Sequence, residues 1–116
     1  MKISCNDLLN TYIVVMSQET QALIHKLQTK SIKSYMQSHN IKHIWLAGSF
    51  SRWQQHTDSD IDIVYEEQDA SVTDLEILGM PQVLEQRLWK TVDLLYKHGL
   101  NRYVKDSILH DTILIW

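Results

Sequence analysis

Cysteine occurs once, at Cys5, so no disulfide can close within the chain, and a reducing cytoplasm suits it. Proline also occurs once, at Pro81, and glycine three times, at Gly48, Gly79 and Gly99. With so few breakers there is no linker or low-complexity segment, and no Gly-x-x-x-x-Gly-Lys loop of the Walker type. No apolar run approaches the ~20 residues that a membrane span needs. The stretch 12–16 is apolar but short, and Asp7 stands before it, unlike a signal peptide. Positive charge is scarce as well. The formal net charge is −3, which argues against nucleic acid as a direct substrate, because such enzymes need a basic groove. What remains is a chain of 116 residues, 44% hydrophobic and 22% charged, the size and balance of one globular domain over 1–116.

The densest chemistry lies in residues 44–64, IWLAGSFSRWQQHTDSDIDIV. The apolar run 44–47 reads as a buried strand. Gly48 ends it, as a residue without Cβ suits a sharp strand-to-helix turn, and Ser49 is placed to cap the short helix that follows. Backbone N–H groups at such a turn, with the positive end of the helix dipole, attract phosphate oxygens. Arg52 stands about one helical turn further on, within reach of the same anion.

Asp60 and Asp62 then alternate with Ile61 and Ile63. In a strand, residues two apart share a face, so both carboxylates point one way and both isoleucines point into a core. Two like charges on one face repel, and one would hold its proton unusually tightly. A divalent cation relieves this, since magnesium is bound by one or two carboxylates together with substrate phosphates. Asp-x-Asp by itself is most simply an exposed acidic strand end. A phosphate-cradling turn followed by Asp-x-Asp is an apparatus for phosphoryl or nucleotidyl transfer.

The spacing Gly48-Ser49, ten residues, then Asp60-Ile61-Asp62 resembles the signature of the polymerase-beta-type nucleotidyltransferase superfamily. The short chain is most similar to its minimal nucleotidyltransferases, the MNT proteins. That family places a third metal-linked carboxylate on a later strand, and Thr91-Val92-Asp93-Leu94-Leu95-Tyr96 stands at a suitable distance. Many members have Arg after Gly-Ser and Gly after the second Arg, where this chain has Phe50 and Trp53.

The resemblance covers about residues 20–116 and implies an α/β (α+β) fold, a small mixed sheet with packed helices. It implies ATP as substrate and two magnesium ions held by Asp60, Asp62 and Asp93, with Gly48, Ser49 and Arg52 on the nucleotide phosphates. Asp93 would help to deprotonate the attacking hydroxyl. Stand-alone MNT proteins often act as antitoxins of HEPN-family ribonuclease toxins and are thought to transfer AMP to a toxin tyrosine. A second reading is a non-catalytic module that masks its partner by forming a stoichiometric complex. An antibiotic nucleotidyltransferase fits less well, since those enzymes generally carry a further domain for the acceptor.

Along the chain, residues 1–16 read as an N-terminal helical extension, although the β-branched run 13–15 weakens the helix. A second helix is expected over 20–39, with Leu23, Leu27, Ile32 and Met36 as its core stripe and Asn40 near its end. A short helical stretch is expected over 72–78, then a helix with Pro81 in its first turn, a third strand over 91–96, a turn at 97–99, a helix over 100–110 and a last short strand or helix end over 113–116.

His39 and His43 are four apart, but Asn40 ends the helix between them, which removes the zinc-binding geometry. His56 lies in the spacer near the carboxylates, and Trp53 could stack on a base or cover the helix.

Overall fold

The structure, a computed structural model, describes residues 18–52, 55, 59–101 and 110–116. The expected helices over 1–16 and 100–110, together with Trp53 and His56, fall wholly or mostly outside the described residues.

The expected helix over 20–39 is two helices. The first, α1, is helical through residues 18–27, and α2 spans Lys30–Ser38. The break has a local cause. The Thr29 hydroxyl donates to the Lys26 carbonyl at 2.7 Å, and the Thr29 backbone N–H donates to the same oxygen at 3.2 Å. A β-branched residue with a hydroxyl competes in this way for the helix's own acceptors. Gln28 Nε2 turns aside to donate to the Ile115 carbonyl, 3.1 Å away. The apolar stripe survives the break: Leu23, Leu27, Ile32 and Met36 are all buried. Helix α2 stops where Asn40 takes a left-handed φ of 66°, a conformation that asparagine tolerates.

Among the described residues four strands follow: β1 (Ile41–Ala47), β2 (Ile61–Glu67), β3 (Val92–Tyr96) and β4 (Ile113–Leu114). They form one sheet in the order β3-β2-β1-β4. β1 runs antiparallel to β2 and β4, and β2 runs parallel to β3. The parallel pair needs a crossover, since parallel strands cannot be joined by a tight turn. A 3₁₀ turn over Leu75–Gly79 and a helix over Met80–Leu88 supply it. Pro81 sits in that helix's first turn, where its missing N–H costs nothing.

Alternation along the strands gives the sheet two faces. Ile44 and Leu46 of β1, Ile61 and Ile63 of β2 and Val92 of β3 join a single core with Leu27, Met36, Met80 and Leu84. Asp62 and Asp93 lie on the other face by the same alternation.

Between β1 and β2 comes α3, a single turn over Gly48–Ser51. Phe50, 2% exposed, is driven into the core. That turn is tied to α1 by a buried bond, in which the Thr20 hydroxyl donates to the Phe50 carbonyl at 3.0 Å. Replacing Thr20 by valine keeps the shape but removes one donor from the Phe50 carbonyl, which keeps the Arg52 backbone N–H. We expect Thr20→Val to cost about 0.5–1.5 kcal/mol of stability by urea unfolding. A cost near zero would mean that the bond contributes nothing.

Candidate active site

The register of the sheet assembles the site. Ala47 of β1 is paired with Asp62 of β2, and Asp62 is paired with Asp93 of β3. Three adjacent strands therefore place the residue before Gly48 and two carboxylates in one row. Asp62 is half-buried and Asp93 is exposed. Asp60 is exposed and stands one residue ahead of β2, so it approaches from the strand's entry rather than from within it.

Gly48 is required twice. Its φ of +68° lies in the left-handed region that other residues rarely adopt. A Cβ there would overlap Asp62 Oδ2 and sit 3.1 Å from Asp62 Cγ. The Asp62 carboxylate is thus packed directly against the backbone of the turn. Ser49 does not cap α3: Ala47 holds the N-cap position and no side-chain bond caps the turn. Ser51 supplies a bond instead, donating from Oγ to the Gly48 carbonyl at 2.8 Å. The helix begins one residue earlier than the serine suggests, because glycine can enter the turn directly from the strand. The N–H groups of this first turn have no carbonyl partner within it.

Burial pushes the Asp62 carboxyl above the ordinary carboxylate range, and the negative charges of Asp93 and Asp60 push it further. The Arg52 guanidinium pulls the other way, and a hydrogen bond shared between Asp62 and Asp93 also holds the proton on Asp62. The carboxylate that holds its proton is Asp62, and the first cause is burial, with Asp93 on the neighbouring strand and then Asp60 adding to it. The donor set, a half-buried carboxylate beside an exposed one with a third close enough to be felt, is oxygen-only and acidic, as a hard divalent cation requires.

Among the described residues, three possible ligand groups gather within 4.8 Å elsewhere, at His39, Asp74 and Glu76. Here His39 Nδ1 lies 2.9 Å from Asp74 and Nε2 lies 3.3 Å from Glu76, so both ring nitrogens are engaged by carboxylates. Asp74 also accepts from the Glu76 backbone N–H at 3.0 Å. This is a cap that ties the end of α2 to the 3₁₀ turn. His43 lies in β1, not on a helix with His39. Sequence spacing missed the capping trio because its members are about thirty-five residues apart, although Asp74 two residues before Glu76 at a helix start was a visible capping signal.

An α+β domain in which a Gly-Ser turn abuts a carboxylate that is itself paired with a second on the next strand has the architecture of a nucleotidyl-transferring enzyme. Residues 30–116 match the family described as polymerase beta, nucleotidyltransferase, and the chain belongs to that family. A protein of Methanocaldococcus jannaschii named "Putative protein adenylyltransferase" is 34% identical over 99 residues, which cover 84% of this chain and 99% of the relative. Among solved structures, a toxin-antitoxin with AMP-PNP superposes with a TM-score of 0.62 at 24% identity, over 73% of this chain and 69% of the other. A tri-AMPylated Shewanella oneidensis HEPN toxin in complex with an MNT antitoxin superposes with a TM-score of 0.53 at 18% identity, over 87% and 71% of the two chains. These structures share the fold. No helix among the described residues is long and apolar enough to cross a membrane.

Proposed function

We propose that this protein is a magnesium-dependent adenylyltransferase that moves AMP from ATP to a tyrosine of a HEPN-type toxin in the cytoplasm, and so acts as its antitoxin. The observation that carries this reading is the row Ala47–Asp62–Asp93, with Asp62 packed on the backbone of Gly48. The relatives support the choice of reaction: one is named for protein adenylylation, and one structural neighbour holds an AMPylated toxin.

In this reading Gly48 and Ser49 offer backbone N–H groups to the terminal phosphates, and Arg52 adds a positive charge on the same side. Asp60, Asp62 and Asp93 would hold two magnesium ions, with Asp62 half-buried and the other two carboxylates exposed. Bound magnesium would supply charge neutralisation of the triphosphate and activation of the attacking oxygen. Asp93, exposed on the sheet's end strand, would accept the proton of the incoming hydroxyl. The tyrosine oxygen bonds to the α-phosphorus, the bond from that phosphorus to the bridging oxygen breaks, and pyrophosphate leaves.

The test is the intact mass of the neighbouring gene's product after incubation with this protein, ATP and magnesium, with the Asp60→Asn, Asp62→Asn double variant as control. A gain of one or more AMP units, lost in the variant and mapped to tyrosine, is the expected result. No gain from two proteins that still form a complex would overturn transfer to that acceptor and favour neutralisation by masking.

A further inference from the structure

Six large hydrophobic side chains stand exposed among the described residues, and four of them surround one groove: Val72, Leu75, Leu78 and Tyr96. Leu75 and Leu78 are 73% and 79% exposed. The groove has a volume of about 310 Å³, and Tyr65 forms part of its wall. It is separate from the carboxylate row. Tyr65 and Tyr96 pair in register three residues beyond the Asp62–Asp93 pair, about 10 Å along the strands. They also belong to the opposite face of the sheet, since three residues is an odd number of alternations.

The local backbone explains why the leucines stand together. Side chains three apart eclipse in a 3₁₀ helix. Leu75 and Leu78 therefore share one side of the turn over Leu75–Gly79, while Ile77 packs against the core. This wall is pinned to the rest of the fold. Asn40 donates to the carbonyls of Asp69 and Val72, at 2.9 and 3.3 Å, and accepts from the Asp69 backbone N–H at 3.0 Å. His39 holds Asp74 and Glu76. An apolar surface held in place by such bonds is pre-organised, so a partner need not order it on binding.

The occupant can be narrowed by shape and charge. A small-molecule site buries most of its ligand's surface, and walls exposed to this degree do not. A second copy meeting this face about a two-fold axis would bring its carboxylates toward their own equivalents. Glu67 and Asp74 line the groove, and Asp69 and Glu76 belong to the same loop and turn. Like charges opposed across an interface disfavour that pairing. An apolar segment with basic flanks meets both the groove and its rim.

We propose that this groove docks a segment of another protein that presents two apolar side chains flanked by lysine or arginine. The site works independently of nucleotidyl transfer, so it stands or falls separately from the enzymatic reading. It gives the protein a means to select a partner by a surface remote from the reacting atoms.

The test displays a library of short random peptides to the full chain, counter-selected against the Leu78→Asp variant, without nucleotide. Leu78 is exposed, so the variant should keep the wild-type thermal melt, and Leu75→Asp serves in its place if it does not. The expected outcome is a consensus of paired apolar residues flanked by Lys or Arg. Synthetic peptides of that consensus should bind at least tenfold more weakly to the variant and more weakly as salt is raised. Acidic consensus peptides, no consensus, or equal binding to the variant would overturn the proposal. So would a dimer in sedimentation velocity that the Leu78→Asp variant dissolves, since the groove would then belong to a second copy.

Discussion

The Asp62→Asn substitution is expected to reduce nucleotidyl transfer by about 10³-fold or more, while making the metal-free protein more heat-stable at neutral pH. The loss of rate follows from removing the one half-buried carboxylate of the trio. Metal-held charge stabilisation contributes several kcal/mol, and each 1.4 kcal/mol is about tenfold in rate. The gain in stability follows from the raised proton affinity of Asp62, caused first by burial and then by Asp93 and Asp60. The folded state holds that proton more tightly than the unfolded chain does. Between the unfolded and the raised folded pKa, the native state therefore binds more protons, and stability falls as pH rises. An amide does not titrate in this range, so the Asp62→Asn variant should lose this decline. Thermal melts in a chelator, from mildly acidic to neutral pH, read it directly. Adding magnesium should then raise the melting temperature of the wild type and leave that of the variant nearly unchanged. A variant less stable than wild type in chelator would overturn the proton-linkage account, and one equally stabilised by magnesium would remove Asp62 from the metal site.

Gly48→Ala is expected to damage the same site from the backbone side. Left-handed φ costs a residue with a Cβ about 1–2 kcal/mol. The new methyl also has to displace the Asp62 carboxylate, with which it would overlap. Misplacing a catalytic group by ~1 Å can cost about 100-fold in rate, and a loss of that order is expected in the transfer assay. A double-mutant cycle separates the two causes. Read by urea unfolding, in an Asp62→Ala background the clash is gone, and Gly48→Ala should cost only the backbone strain. In the wild type it should cost more. Equal costs in both backgrounds would show that the carboxylate does not rest against the turn.

These two residues mark how far the sequence could be read. The strand before Gly48, the turn, the alternation of Ile61-Asp62-Ile63 and the later Val92-Asp93-Leu94 were all legible, because each depends on residues a few positions apart, whereas Asp60 stands one residue ahead of the strand expected to carry it. Pro81 at a helix start and Asn40 at a helix end were legible for the same reason. The break at Gln28–Thr29 was not: the apolar stripe runs straight through it, and the bonds that make it go to Lys26 and to Ile115, the latter near the chain's other end. Ser49 was misplaced as a cap because serine is a good N-cap residue, whereas the turn begins at the glycine before it. The groove left no signal in the sequence either. Val72, Leu75 and Leu78 look like the apolar face of an ordinary helix until the 3₁₀ turn sends two of them outward.

By itself, then, the sequence determined the parts of this protein: an α+β chain, a Gly-Ser turn at a fixed interval from paired aspartates, a third aspartate on a later strand, and the family those features define. The tertiary structure decided how the parts meet. Only the register of β1, β2 and β3 sets Asp62 beside the turn on one side and beside Asp93 on the other. Only the approach of Asp62 to Gly48 explains why no other residue fits there. Patterns of polarity set which face a side chain takes, because that depends on local backbone period. Which residues become neighbours across strands depends on how distant segments share one core, and short-range periodicity carries no information about that.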